Sequence, residues 1–389
     1  MFSTTARAED TPSPILEPPE FHGFASQGYI KSIGNNYLAK SKDAGSFEFS
    51  EVGLNFTKNL SEELRTGAQL FAHDLGPLGN FRPQFDWFYI DYHPRDWFGI
   101  RAGRIKVPFG LYNELNDVDV ARQPILLPQS IYQADHREFL FAQTGGEIYG
   151  DVPLGPVGDL EYRLYGGTLS SDIEGNPPAP GVTVSNVNVP YIVGGRAMWD
   201  TPIDGLRSGV SLQSMRFDSD YGLAPELLTT LQALMLVPAT VTSPFPVKFH
   251  VTRWVGSLAY NAHDWDLSAE YSRWLGGFDS PIPALLPSHV VNERYYAMAS
   301  YRVNSWFVPG AYYSAFYPNK EERHGRQNYQ HDLAISLRYD LTTNWLLKLE
   351  GHLMRGTAAL ENRILNEGVE PKDLKANWGV FLLKTTAYF

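Results

Sequence analysis

Three basic residues stand close together in the segment 96–112, where they could attract anions and raise their local concentration. Successive side chains of a β-strand point to opposite faces, so Arg101 and Arg104, which differ in parity, would face opposite sides of a regular strand. An extra residue near Gly103, forming a β-bulge, would shift the phase and direct Arg101, Arg104 and Lys106 to one face. The same shift would direct an apolar set to the other face: Phe98, Ile100, Ala102, Ile105 and Val107.

An acidic connection, 109–137, follows Pro108, whose ring nitrogen cannot donate to a strand ladder. If this connection folds back against the basic segment, its carboxylates face the cations across a gap. The resulting field would favour polar and charged solutes over apolar ones. In a channel, such an arrangement would narrow the pore. We therefore predict a pore constriction formed by Arg101, Arg104, Lys106, Glu114, Asp117, Asp119 and Arg122. Further candidate cations for the facing wall are Arg65, Arg163, Arg196 and Arg294.

Several other kinds of site are excluded by composition and spacing. The chain has no Cys, so it has no thiolate nucleophile and no cysteine-ligated metal. Its 10 His show no metal-binding spacing, and Asp117-Val118-Asp119 is only a fragment of a calcium loop. The formal charge of −11, with scattered basic residues, argues against a nucleic-acid partner. We therefore expect no catalytic residues, no metal and no cofactor.

Period-two alternation dominates the chain from Phe21 onward and predicts half-buried strands. Within 329–340, for example, one parity is mostly apolar and the other mostly polar. Sixteen strands are predicted on this basis, near 21–33, 46–58, 63–74, 84–93, 97–108, 138–152, 159–170, 189–200, 207–217, 248–262, 265–276, 290–303, 306–317, 328–340, 345–355 and 376–389.

The connections between these strands alternate between long and short. A transmembrane barrel explains this, because its periplasmic turns are short and its extracellular loops are long. The strands also reach the roughly 9–11 residues that a tilted strand needs to cross a bilayer. We predict an all-β fold, a transmembrane antiparallel β-barrel of 16 strands with long extracellular loops and short periplasmic turns. The barrel domain covers 21–389, and its third extracellular loop, 109–137, is predicted to be the constriction loop that narrows the channel.

Residues 1–20 are predicted to lie outside the barrel. Ala6-Arg7-Ala8 has the small-x-small form of a signal-peptidase site, without an apolar region before it, which favours the remnant of an export signal over a chance match. The following stretch, 9–20, contains four prolines and is typical of an extended linker.

Three features complicate or extend this pattern. Arg253 and Arg273 share the parity of apolar neighbours, so a lipid-facing Arg253 would need a bulge or a register shift. The segment 224–237 is apolar and compatible with a helix within the fifth extracellular loop; it could pack on its own barrel or contact a neighbouring subunit. The chain ends in the aromatic residue Phe389, as the last strand of an outer-membrane barrel often does.

The strand pattern from residue 21 onward resembles bacterial outer-membrane porins. Within them, the segment 103–112 resembles the strand-to-loop region of the phosphate-selective porin-like family. The residues that carry this likeness are Arg104, Lys106, Pro108, Phe109, Gly110 and Leu111. The resemblance implies trimers of sixteen-stranded barrels. The lysine cluster of the phosphate-selective members is not visible here, so a porin is implied rather than a particular solute.

These observations favour a water-filled channel for passive diffusion of small hydrophilic or ionic solutes. Its expected surroundings are the lipid and lipopolysaccharide of the outer membrane of a Gram-negative bacterium, and its expected assembly is a homotrimer. One alternative is an anion- or phosphate-selective channel. Alternatives of other classes are a non-conducting surface adhesin with a plugged barrel and a barrel enzyme, although no Ser–His pairing stands out.

Overall fold

A computed structural model describes residues 18–134, 137–169, 181–282, 288–360, 365–370 and 372–389. The predicted export-signal remnant and most of the Pro-rich linker lie outside the described residues. The assignment of 1–20 to a separate N-terminal segment therefore stays a prediction.

The described chain forms a closed antiparallel β-barrel, in which each strand pairs with its neighbours in sequence and the last strand pairs with the first. This confirms the predicted all-β fold, a closed antiparallel barrel of 16 strands. The strands are β1 Glu20–Ile33, β2 Phe49–Asn59, β3 Leu64–Leu75, β4 Gln84–Arg95, β5 Phe98–Lys106, β6 Ala142–Pro153, β7 Asp159–Leu169, β8 Val182–Asp200, β9 Leu206–Leu223, β10 Phe245–Ala262, β11 Trp265–Asp279, β12 Val290–Tyr301, β13 Phe307–Tyr317, β14 Gln330–Thr342, β15 Trp345–Gly356 and β16 Asn377–Tyr388.

Alternation along the strands separates an outer face from an inner one. In β14, Leu333 and Ile335 are 45% and 59% exposed on the outside. Their neighbours Asp332, Ala334 and Ser336 are buried on the inside. The alternation of apolar and polar residues in the sequence predicts this pattern for a barrel with an apolar exterior.

Short helices occur only in the connections of the described chain. The α-helices are α1 Arg137–Leu140 and α2 Pro225–Ala233. The 3₁₀ turns are Asn113–Leu115, Asp119–Ala121, Gly155–Val157 and Arg326–Asn328. The predicted helix within 224–237 is thus present, in the connection between β9 and β10. Among the described residues, no helix has the length and apolar character needed to cross a membrane.

The connection between β5 and β6 runs from 107 to 141, and its described residues, 107–134 and 137–141, lie inside the barrel; we call them the interior segment. Its Phe109, Leu127 and Tyr132 pack in one apolar cluster with inner-wall residues such as Met215 and Tyr296. Hydrogen bonds attach the segment to strands around much of the circumference, including β9, β11, β13 and β15. The segment therefore occupies a large part of the barrel interior.

Two predictions about facing are wrong because of this packing. Ile105 and Val107 were expected on the outer surface, but they are 2% and 0% exposed, and Val107 belongs to the interior cluster. Arg253 was expected to need a bulge to avoid lipid. It instead faces inward with Val251 and Val255, and β10 pairs regularly on both sides of it. The apolar parity of β10 packs on the interior segment.

The bulge predicted near Gly103 is also wrong. The pairing of β5 with β4 and with β6 runs through Gly103 without an extra residue. Arg101 and Lys106 nevertheless both contact interior groups although they differ in parity. Ile105 and Val107 keep the parity of Arg101 and also lie inside, so the predicted change of face is absent; Lys106 is the last residue of β5 and reaches interior groups where the interior segment begins. Gly103 has a φ of 138°, a left-handed value that favours glycine. A bulge does occur in the neighbouring strand β4, where Asp86 is the extra residue in the pairing with β3.

Candidate functional site

Lys106 and Asp117 meet where the interior segment leaves β5. The Lys106 Nζ lies 2.8 Å from Asp117 Oδ1 and donates to the Glu114 backbone oxygen at 2.9 Å. The ammonium also lies 5.2 Å from the centre of the Phe141 ring. These contacts fix the beginning of the segment relative to the strand that precedes it.

Glu114 joins the interior segment to the wall of β7 and β8. Its carboxylate lies 2.5 Å from Arg163 and 2.9 Å from Arg196. Burial alone would raise the pKa of Glu114, but the charges of Arg163 and Arg196 outweigh burial and hold the pKa below its ordinary value of 4.5. Glu114 is therefore an ionised anchor.

Ion pairs extend from Glu114 along the barrel wall. Arg101 pairs with Asp91 at 2.9 Å, and Glu147 lies between Arg101 and Arg163. Arg196 continues to Glu161, which also binds Arg207. The wall from β4 to β9 thus carries a ladder of alternating charges in which each cation has a carboxylate partner.

Asp119 is the most heavily paired carboxylate of the interior segment. Lys348 Nζ and Lys384 Nζ lie 3.1 Å and 3.4 Å from its Oδ1, and the Thr386 hydroxyl donates to Oδ2 at 2.7 Å. Arg122 approaches the same carboxylate at 3.5 Å.

The ionisation of Asp119 follows from these partners. Burial alone would raise its pKa, but the two lysines outweigh it and hold the pKa far below the ordinary value of 3.8. Asp119 therefore stays charged while buried.

Six of the seven predicted constriction residues lie in or beside the interior segment, in separate ion-pair groups. Lys106 joins Asp117, Arg122 joins Asp119, and Arg101 reaches Glu114 through Glu147 and Arg163. Arg104 lies apart, because its Nε donates to the backbone oxygen of Asp86 on β4. Of the further wall cations, Arg163, Arg196 and Arg294 contact the segment. Arg65 pairs in register with Asp91 on the β3–β4 side.

Exposure separates these charges into two kinds. The side chains of Asp117 and Asp119 are 0% exposed, whereas those of Arg101 and Glu114 are 20% and 22% exposed. The acidic groups of the segment are therefore mainly bound by cations rather than presented to a solvent-filled gap.

Several anchoring residues were not identified from the sequence. Glu350 accepts the backbone N–H groups of Ile125 and Leu126, and Glu270 accepts that of Leu111. Arg338 of β14 and Lys348 of β15 donate to backbone oxygens of the segment, and Lys384 of β16 forms an ion pair with Asp119. A charge in the middle of a strand, on its polar parity, could have marked them as interior groups. Parity alone does not show what such a group contacts.

Among the described residues, no group of three or more His, Cys, Asp or Glu is arranged to hold a metal ion. The chemistry of the interior is that of ion pairs and hydrogen bonds.

Comparison with known proteins shows similarity at the level of fold. No family model and no curated protein matches the sequence. A Salmonella typhi OmpF complex with daunomycin aligns over 95% of this chain and 97% of its own, with a TM-score of 0.57 and 9% identity. An anion-selective porin from Comamonas acidovorans covers 96% and 99%, with a TM-score of 0.56 and 13% identity. A trimer form of the Vibrio cholerae outer-membrane protein OmpT aligns over 96% of this chain and 99% of its own, with a TM-score of 0.55 and 9% identity.

Proposed function

We propose that this chain is an outer-membrane porin that forms a water-filled channel for passive diffusion of small hydrophilic or ionic solutes. It acts without catalysing a reaction, and the interior segment narrows the channel. The observation that supports this best is the attachment of that segment to strands around the inside of a closed barrel. Similarity in fold to an anion-selective porin agrees with the proposal.

The seven predicted constriction residues fit this proposal chiefly as anchors. Paired buried charges contribute little net field, because each is balanced by a neighbour within about 3 Å. We propose that Lys106, Asp117 and Asp119 set the pore size by holding the segment in place. Arg101 and Glu114, which keep some exposure, contribute to the local field.

Recordings of purified protein in planar lipid bilayers test the channel proposal. Stepwise conductance increases are expected, together with a size limit for sugars in liposome-swelling assays. Protein that was heated and denatured before addition serves as the control. A folded barrel that gives neither conductance nor swelling would contradict the proposal.

The same experiment addresses a second candidate, a non-conducting barrel. Residues 122–132 of the interior segment are all buried, and an apolar cluster connects the segment to the inner wall. Such packing is what a plugged barrel would also require. A conductance indistinguishable from that of the bare bilayer would favour this candidate.

We further propose that the protein is a homotrimer in contact with outer-membrane lipid and lipopolysaccharide. The outer face carries exposed apolar residues on many strands, including Ile100, Leu164 and Phe381. A structure of similar fold occurs as a trimer. Light scattering in mild detergent should give three times the 43.7 kDa chain mass. A monomer mass under conditions that preserve the folded barrel would contradict the trimer.

A further inference from the structure

Two cavities lie on the same side of the interior segment, next to the first strands of the barrel. One lies between the segment and β2–β3 and is lined by Glu51, His73 and Arg122, among others. The second, of about 180 Å³, lies between residues 118–120 and the strands β1, β2 and β16. Asn55 and Asp119 line this second cavity.

A single ion cluster stands between these cavities. Lys384 Nζ lies 2.6 Å from Glu51 of the first cavity and 3.4 Å from Asp119 of the second. Arg122 lines the first cavity and lies 3.5 Å from Asp119. A solute that passes from one cavity to the other must therefore move past these four side chains.

The wall on the other side of the segment offers a contrast. From β4 to β9, the ladder of Arg101, Glu147, Arg163, Glu114 and Arg196 joins the segment directly to the barrel. Opening a passage there would break several ion pairs. The side of β16 and β1–β3 also carries an ion cluster, but both cavities border that side.

We propose that the solute path runs between the interior segment and the wall of β16, β1, β2 and β3. In this path, Glu51, Asp119, Arg122 and Lys384 form the section that determines selectivity. This inference rests on the proposed channel function. Including Lys348, which also binds Asp119, the cluster has three cations and two carboxylates. The surplus positive charge favours small anions over cations.

The exposure of the cluster suggests how an anion moves through it. The Glu51 side chain is 18% exposed, whereas that of Lys384 is 0% exposed. A small anion arriving at Arg122 can take the place of the Glu51 carboxylate on Lys384 and then leave into the second cavity. Conduction then requires a local movement of Glu51 and passage past Asp119, which also binds Lys384.

Reversal potentials in a potassium chloride gradient test this assignment with two variants that should shift the ion selectivity in opposite directions. Lys384→Gln removes the surplus charge and should lower the chloride-to-potassium permeability ratio at least about twofold. Glu51→Gln should raise the ratio by a similar factor. Arg273→Gln, on the outer face of β11, removes a cation outside the path and is the matched control. Unchanged ratios in both cluster variants would overturn the inference.

Cysteine accessibility provides a second test that does not disturb the cluster, because the chain has no Cys of its own. Asn55→Cys places a thiol in the second cavity, and a negatively charged methanethiosulfonate reagent should reduce the current at least about twofold. Asp151→Cys places an exposed thiol on β6, on the same wall but at a residue that the ladder does not use, and should leave the current unchanged. Block at position 151 but not at 55 would overturn the inference while the channel function stands. Absence of conductance in the unmodified protein would instead overturn the proposed function.

Discussion

At the scale of single residues, the interior charges are explained by their partners. A buried charge without a partner is costly, whereas a paired and hydrogen-bonded charge is tolerated. Asp119 shows the second case, since two fully buried lysines and a threonine hydroxyl surround its carboxylate. Its role is to hold the interior segment on β15 and β16.

Replacement of Asp119 by Asn should therefore destabilise the barrel. The amide keeps the shape but leaves Lys348 and Lys384 buried with less compensating charge, and loss of one partner from a buried pair costs about 3–5 kcal/mol. Urea unfolding in lipid vesicles measures the free energy of unfolding. Glu370→Gln, in an exposed pair with Lys372, is the control and should cost about 0–1 kcal/mol. Equal effects of the two variants would contradict the anchoring role.

The stabilisation by Asp119 should also depend on pH. The folded protein holds the pKa of Asp119 below 3.8, the value expected in the unfolded chain, because the lysine charges outweigh burial. Ionised Asp119 therefore contributes stability above pH 3.8, and this contribution is lost as the pH falls toward the folded pKa. The difference in unfolding free energy between the native protein and Asp119→Asn should be constant near neutral pH and shrink below pH 3.8. A difference that grows in acid would contradict this sign.

The sequence identified Asp119 as an interior charge but could not identify its partners. An acidic residue in a long connection after a basic strand is visible by inspection. The two lysines that bind it lie more than 200 residues away, with Lys348 at a separation of 229. Only the closure of the barrel brings them together.

At the scale of elements, β5 shows where the interior segment begins. The strand ends at Lys106, whose ammonium already binds Asp117 of the segment. The sequence predicted a change of face near Gly103, but Ile105 and Val107 keep the parity of Arg101 and lie inside. The positive φ of Gly103 leaves the pairing of β5 with both neighbours intact.

A Gly103→Ala substitution should destabilise this part of the barrel. A Cβ at Gly103 would lie 2.3 Å from the Phe88 backbone oxygen, and the φ of 138° is strained for any other residue, with an expected cost of about 1–3 kcal/mol. Gly146→Ala on the adjacent β6 is the matched control, since its nearest contact would be at 3.7 Å. The unfolding free energy in vesicles measures both. A Gly103→Ala variant as stable as Gly146→Ala would show that this backbone adapts without strain.

The strand β10 shows where alternation stops being informative. Its apolar parity was read as lipid-facing, which left Arg253 in an unfavourable place. Because the interior segment packs against β10, apolar side chains such as Val251 and Val255 are buried inside. Alternation marks two faces, but which face meets lipid depends on what occupies the interior.

At the scale of the whole molecule, strand number and closure could be predicted because each depends on repeated local patterns. The outer face repeats apolar residues on successive strands, and β16 returns to β1. The course of the interior segment could not be predicted, because it depends on contacts with many distant strands at once. Its general location was expected, whereas its anchors Glu270 and Glu350 were not.

If the apolar outer face contacts lipid, a charged side chain placed there should lower the stability of the folded protein, and the loss should depend on its depth in the bilayer. Ile335→Arg, near the middle of the outer face of β14, should destabilise the folded protein in vesicles by about 2–4 kcal/mol, because a cation at that depth loses its hydration. Met235→Arg, in the connection between β9 and β10, is the control: this side chain is 92% exposed and lies outside the strands, so a change within about 0.5 kcal/mol is expected. Urea unfolding in vesicles of fixed lipid thickness gives both values. The difference between the two variants should largely disappear in a detergent micelle thin enough to let water reach position 335. Equal costs in vesicles would mean that β14 does not face the bilayer core, and the membrane-spanning arrangement would have to be abandoned.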